Sequence, residues 1–206
     1  ERYLTEWSGD PRGQITVRQV LENTTGLQTT FDNPGQPWSK GMQLVEGSDI
    51  NGTTLSFQLG NEPGVTFAHN NPNTQLAGMI IHRATGKNFA QYLGEKLWKP
   101  LGAQRGALRL DGLKGNIISY CCYLSAPADW MRIAHLLKED GKLPDGSQLL
   151  PEGWVDQMLT GSKVNPNYGF QIWIDREFRQ FRPYYPDMPL EFANTHSEPF
   201  AVGDIF

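Results

Sequence analysis

His69, in the run Phe67-Ala68-His69-Asn70-Asn71-Pro72, is a side chain whose type and setting could do chemistry, with Asn71 two residues on. Asparagine followed by proline reads as a helix start, with Asn71 as the cap and Pro72 in the first turn. The positive end of the helix dipole then disfavours protonated His69, which leaves a neutral imidazole able to accept a proton near pH 7. A loop histidine beside an ordinary helix cap is the plain structural reading of the same residues, and residue types alone leave both open. No partner nucleophile announces itself. None of the nine serines is followed three residues later by lysine, and neither a Gly-x-Ser-x-Gly elbow nor a Gly-rich phosphate loop occurs. His82, His135 and His196 lack metal-ligand spacing, so no metal or cofactor is expected. Cys121 and Cys122 are adjacent, a disulfide between them would be strained, and they read as buried small hydrophobes. Trp38, Tyr120, Tyr123 and Trp173 could line a pocket or serve as core, and Tyr123 and Trp173 are taken as substrate-binding candidates.

The elements that must position these residues are mostly helical. Thr16 with Gln19 forms a capping box ahead of Val17, Val20 and Leu21, with Gly26 as the left-handed stop. From Asn71, the spacing of Leu76, Met79 and Ile80 predicts a helix that Gly86 ends. Asn88 with Gln91 starts another helix, carrying Phe89, Tyr92, Leu93 and Leu97 up to Pro100, and these two helices pack as a hairpin. Ser125 caps a further helix with Trp130, Ile133, Ala134 and Leu137 on one face, stopped by Gly141. Pro151 opens a short one bearing Trp154, Val155, Met158 and Leu159. Tyr168, Phe170, Ile172 and Ile174 alternate with Gly169, Gln171 and Trp173, the period of a strand with one buried face. Residues 28–62 read as a long loop, and 178–206 as another irregular stretch.

Composition sets outer limits. A chain of 206 residues with 38% apolar and 11% aromatic content can bury a packed core. Net charge of −4 without a basic run argues against nucleic acid as a partner. No apolar run approaches the roughly 20 residues that span a bilayer. Oligomeric state and compartment leave no mark in the sequence.

Three blocks carry a family resemblance. Residues 63–102 keep the frame PG-x-x-F-x-Tyr-x-Asn-x-x-x-x-L-x-G, then Thr85-Gly86 and Pro100-Leu101-Gly102, with His69 at the tyrosine position. Ile15 to Leu27 is similar to ITVRDLLTHTSGL, and Tyr123 to Val155 is similar to a later helical stretch of the same family. The chain thus resembles the β-lactamase-related serine hydrolases, which include class C β-lactamases, D-Ala-D-Ala carboxypeptidases, β-lactamase-like esterases and 6-aminohexanoate-dimer hydrolases.

That resemblance implies an α+β fold of the β-lactamase/transpeptidase type, of which residues 1–206 are a partial domain, mainly the helical region inserted in the α/β sandwich. It implies an acyl-enzyme mechanism on small esters, amides or peptide-like substrates, with the family's tyrosine acting in proton transfer and its asparagine, here Asn71, contacting the substrate amide. The family's Ser-x-x-Lys is expected upstream of residue 1, and its Lys-Thr-Gly or His-x-Gly beyond Phe206. A chain cut from a longer protein accounts for both absences and is expected to be inactive alone. The competing expectation is an inactive relative that binds a peptide or acyl ligand in a remnant cleft.

Overall fold

The computed structural model describes residues 2–28, 36 and 38–174. Seven helices are described: α1 (Val17–Leu21), α2 (Lys40–Glu46), α3 (Ile50–Leu55), α4 (Asn71–Thr85), α5 (Phe89–Leu93), α6 (Pro127–Lys138) and α7 (Trp154–Met158). Two-residue strands β1 (Gly106–Ala107) and β2 (Leu124–Ser125) pair antiparallel ahead of α6. The predominance of helix agrees with the sequence expectation.

Helix α4 is the axis of the molecule, with α1, α3 and α5 packed against it. Its buried face presents Leu76 and Met79 to Val20 of α1, Leu44 of α2 and Ile50 of α3, all in one apolar cluster. Leu76, Leu44 and Ile50 are completely buried, and each such side chain contributes about 1.5–3 kcal/mol. Gly86 ends α4 in the left-handed conformation, its N–H donating to the His82 carbonyl.

Local capping accounts for the first helices. The Thr16/Gln19 capping box forms as expected, and so does that of Asn88/Gln91 at α5. Beyond α5 the chain continues through a π-helical turn, Gly94–Trp98. The α1 stop differs from expectation. Asn23, left-handed at φ 56°, ends the helix ahead of Gly26, which is left-handed too at φ 73°; Thr24 N–H bonds to the Gln19 carbonyl and Asn23 N–H to that of Val20. Gly26 is needed for a different reason, since a Cβ there would clash with the Asn61 carbonyl oxygen.

Several further expectations are corrected. The supposed loop 28–62 contains α2 and α3, because Ser39 Oγ accepts from Met42 N–H and Asp49 Oδ1 from Gly52 N–H, while Leu44 and Ile50 anchor the helices in the core. Residues 29–35 and 37 of that stretch, and the whole of 178–206, lie outside the described residues. The expected strand at 168–174 is a tight reversal: Gln171 is left-handed at φ 60°, and Tyr168 faces Trp173 in an isolated bridge. Gln171 is pulled toward α1, its backbone N–H reaching the Leu21 carbonyl and its side-chain amide those of Val20 and Leu21. In α6 the cap is Ala126 with Pro127 at the first turn. The buried side chains there are Asp129 and Leu136, whereas Trp130 stays 45% exposed. Asp140 and Gly141 both turn left-handed past its end.

Cys121 and Cys122 form a disulfide instead of two buried thiols, and Cys122 is exposed. The left-handed backbone at Cys122, φ 68°, lets neighbouring sulfurs meet.

Candidate functional site

The segment 23–28 runs antiparallel to 58–68 and so fixes the approach to α4. Gln28 N–H donates to the Gln58 carbonyl, Gly60 and Asn61 N–H to that of Gly26, Gly64 N–H to that of Thr24, and Ala68 N–H to that of Asn23. At the end of this ladder Asn70 is extended (φ −136°, ψ 126°) and is the N-cap residue of α4, so Asn71 and Pro72 fall in its first turn. This shifts the predicted cap by one position. The Asn70 side chain gives the helix no capping bond, because it turns away and donates to the Gln28 carbonyl at 2.9 Å.

His69 therefore sits just before the head of α4, on the exposed side of the ladder. Its ring lies 5.9 Å from that of Tyr168 and 5.7 Å, edge-on, from that of Trp173. Phe67 completes the group, with ring centroids 5.0 Å from Tyr168 and 5.7 Å from Trp173. Tyr168 and Trp173 also touch each other at 4.9 Å. The reversal at Gln171 is what brings these aromatics beneath the histidine, since an extended strand would have carried Trp173 away.

Beneath this surface lies a polar cluster. Asn23, 1% exposed, donates to Tyr168 OH at 2.7 Å and accepts from Asn73 Nδ2 at 2.8 Å. Thr25 OH donates to Asn73 Oδ1 at 2.6 Å. One turn along α4, Gln75 accepts from Ser119 N–H at 2.9 Å and donates to Asn51 Oδ1 and the Ile117 carbonyl, both at 2.9 Å. Gly78 allows this close approach, because a Cβ there would overlap Ser119 Oγ.

Of the four residues selected from the sequence, His69 and Trp173 are in ring contact, and Asn71 stands two residues beyond His69 in the first turn of α4. Tyr123 belongs to a separate aromatic group, with Trp98 at 4.8 Å and Trp130 at 5.6 Å. Burial there raises the Tyr123 phenol above its ordinary range, with a smaller contribution from the Asp129 carboxylate. Trp38 is 71% exposed. Asn23 and Tyr168 were not singled out for the site. Asparagine ahead of the expected stop at Gly26 was a readable signal, since asparagine tolerates a left-handed backbone, but its partners in the site come from 45 and more residues away.

Two surface concavities, each of about 530 to 540 Å³, lie elsewhere, one along Pro11, Gln14 and Leu59–Pro63 and one beneath α6 along Leu101, Met131 and Leu136. Neither is lined by His69. Among the described residues no cluster of His, Cys, Asp and Glu is arranged to hold a metal ion, and no helix is long and apolar enough to cross a membrane.

The Beta-lactamase family model matches residues 1–166. The chain belongs to the beta-lactamase family. Over 94 residues it is 35% identical to the monacolin J acid methylbutanoyltransferase of Aspergillus terreus, a match spanning 44% of this chain and 22% of that protein. Protein flp of Staphylococcus aureus is 29% identical over 102 residues, 50% of this chain and 20% of that protein. A Bacillus anthracis protein solved as a candidate 6-aminohexanoate-dimer hydrolase superposes with a TM-score of 0.69 at 21% identity, covering 84% of this chain and 50% of that one. That likeness shows the β-lactamase/transpeptidase-like fold. The chain spans about a fifth of the curated relatives' lengths and half of that solved chain. At family level the chemistry is that of serine hydrolases working through an acyl-enzyme.

Proposed function

We propose that the protein carrying this chain hydrolyses small carboxylic esters or amides through a serine acyl-enzyme, with His69 moving the proton. The observation that carries this reading is the placement of His69 just before the head of α4, over the Tyr168 and Trp173 rings, in a chain whose family match covers that segment. An imidazole at that point can take a proton from an attacking hydroxyl and return it to the leaving group. Asn71, in the first turn of the same helix, supplies an amide for the substrate's polar side. Trp173 walls the acyl group. Tyr123, packed with Trp98 and Trp130 in a separate aromatic group, takes no part in this reading. The nucleophile is assigned to a serine outside residues 1–206, and those residues are one partial domain of the whole. The acyltransferase name of the Aspergillus relative supports an acyl-enzyme, since transfer and hydrolysis differ only in what accepts the acyl group.

Intact mass of the natural full-length protein, before and after a fluorophosphonate probe, tests the reading. One adduct, slowed at least tenfold by His69→Ala, supports it. Retention of an ester or peptide ligand without adduct or turnover would move the protein to the binding class.

A further inference from the structure

Asn23 bonds to the site at four points, yet it is almost completely buried. Its carbonyl accepts from the N–H of Ala68, the residue before His69, at 2.9 Å. Its side-chain Oδ1 is approached by the N–H of Asn70, the residue after His69, at 3.4 Å, and accepts from Asn73 Nδ2 at 2.8 Å. Its Nδ2 donates to the hydroxyl of Tyr168 at 2.7 Å, and the Tyr168 ring is one of the two against which His69 rests.

The amide has one workable orientation. The Ala68 carbonyl, which can only accept, lies 3.4 Å from Asn73 Nδ2, so Asn73 presents its NH₂ group on that side and toward Asn23, while Thr25 OH donates to Asn73 Oδ1. Asn23 must then turn its oxygen toward Asn73 and the Asn70 N–H, which leaves its own NH₂ aimed at the tyrosine hydroxyl. Aspartate would lose that donor and bury a charge. The left-handed backbone at φ 56° is one that asparagine accepts readily. Both peptide flanks of His69 and the aromatic floor beneath it are therefore tied to a single buried residue.

We propose that Asn23 is the positioning residue of the site: it sets the direction of the His69 imidazole through the Ala68 and Asn70 peptides and through Tyr168, without touching substrate. The inference deepens the hydrolase reading and rests on it for its kinetic consequence. Its structural consequence stands apart from that reading.

The test uses Asn23→Gly, which suits the left-handed backbone and keeps the Ala68 bond while deleting the amide, and Tyr168→Phe, which removes only the hydroxyl. Both are made in the natural full-length protein. The His69 ring resonances are followed by ¹H–¹³C correlation spectroscopy, and ester turnover by steady-state kinetics. Each variant is expected to shift the His69 ring signals, and the double variant to add nothing further. In the same variants kcat falls about tenfold while KM changes less than about twofold, as expected when a reacting group is misdirected. Unmoved His69 signals in folded Tyr168→Phe and Asn23→Gly, whatever the thermal midpoint does, would reduce Asn23 to a structural brace and overturn the proposal. Shifted His69 signals in a protein whose wild type takes no fluorophosphonate would retain the positioning role and sink the hydrolase reading alone.

Discussion

Gly26 and Gly86 offer a matched pair for testing how the ladder beneath the site is built. Both are left-handed, at φ 73° and 71°, so replacing either by alanine incurs the same backbone penalty, about 1–2 kcal/mol, offset by a reduction of unfolded-state entropy worth about 0.4–1 kcal/mol. Their surroundings differ. A Cβ on Gly86 meets nothing within 4 Å, whereas one on Gly26 clashes with the Asn61 carbonyl oxygen and lies 3.0 Å from its carbon. Relieving that overlap means shifting segment 23–28 against 58–68, where the Gly26 carbonyl accepts from Gly60 and Asn61 N–H, which adds about 1–3 kcal/mol of overpacking and up to about 1 kcal/mol per weakened hydrogen bond. Gly86→Ala is therefore expected to destabilise by about 1 kcal/mol and Gly26→Ala by about 2–5 kcal/mol. Urea unfolding followed by tryptophan fluorescence measures both, with unchanged slopes confirming that the unfolded state is the same. Equal destabilisation by the two substitutions, within about 0.5 kcal/mol, would refute the steric argument and leave Gly26 with only a conformational role.

Two other perturbations follow from the same geometry. Gln75→Leu leaves Ser119 N–H, the Ile117 carbonyl and Asn51 Oδ1 without their partner in a buried setting, and is expected to lower stability by about 2–4 kcal/mol in the same urea assay, with a loss under about 0.5 kcal/mol counting against the network. At the other end of the core, the Arg12 side chain, helped by its backbone N–H, holds the Asp10 carboxyl down to about 2 from an ordinary 3.8. A depressed carboxyl stabilises the fold above its unfolded value and loses that contribution as pH falls toward the folded value. The stability difference between wild type and Asp10→Asn is accordingly expected to be full at neutral pH and to shrink between about pH 4 and about pH 2. A difference that stays constant across that window would show that the Asp10–Arg12 pair does not titrate with folding.

The helices and the head of the site were legible in the sequence because the forces that set them are local. The capping boxes at Thr16 and Asn88, the left-handed stop at Gly86 and the spacing of Leu76 and Met79 each involve residues within a turn or two of one another. The frame around His69, with its family resemblance, was likewise written in one stretch. Where the reading missed, a distant contact had overridden the local pattern. Asn70 is the cap residue in place of Asn71, its backbone extended where Asn23 and Gln28 bond to it. The alternation from Tyr168 to Ile174 became a reversal because Gln171 hydrogen-bonds to the end of α1, some 150 residues earlier. Tertiary structure alone decided that Asn23, Asn73, Tyr168 and Trp173 meet around His69. Their union depends on side-chain hydrogen bonds and ring contacts between segments that no spacing rule connects, so the sequence determined which residue stands at the head of α4, and the packing determined what surrounds it.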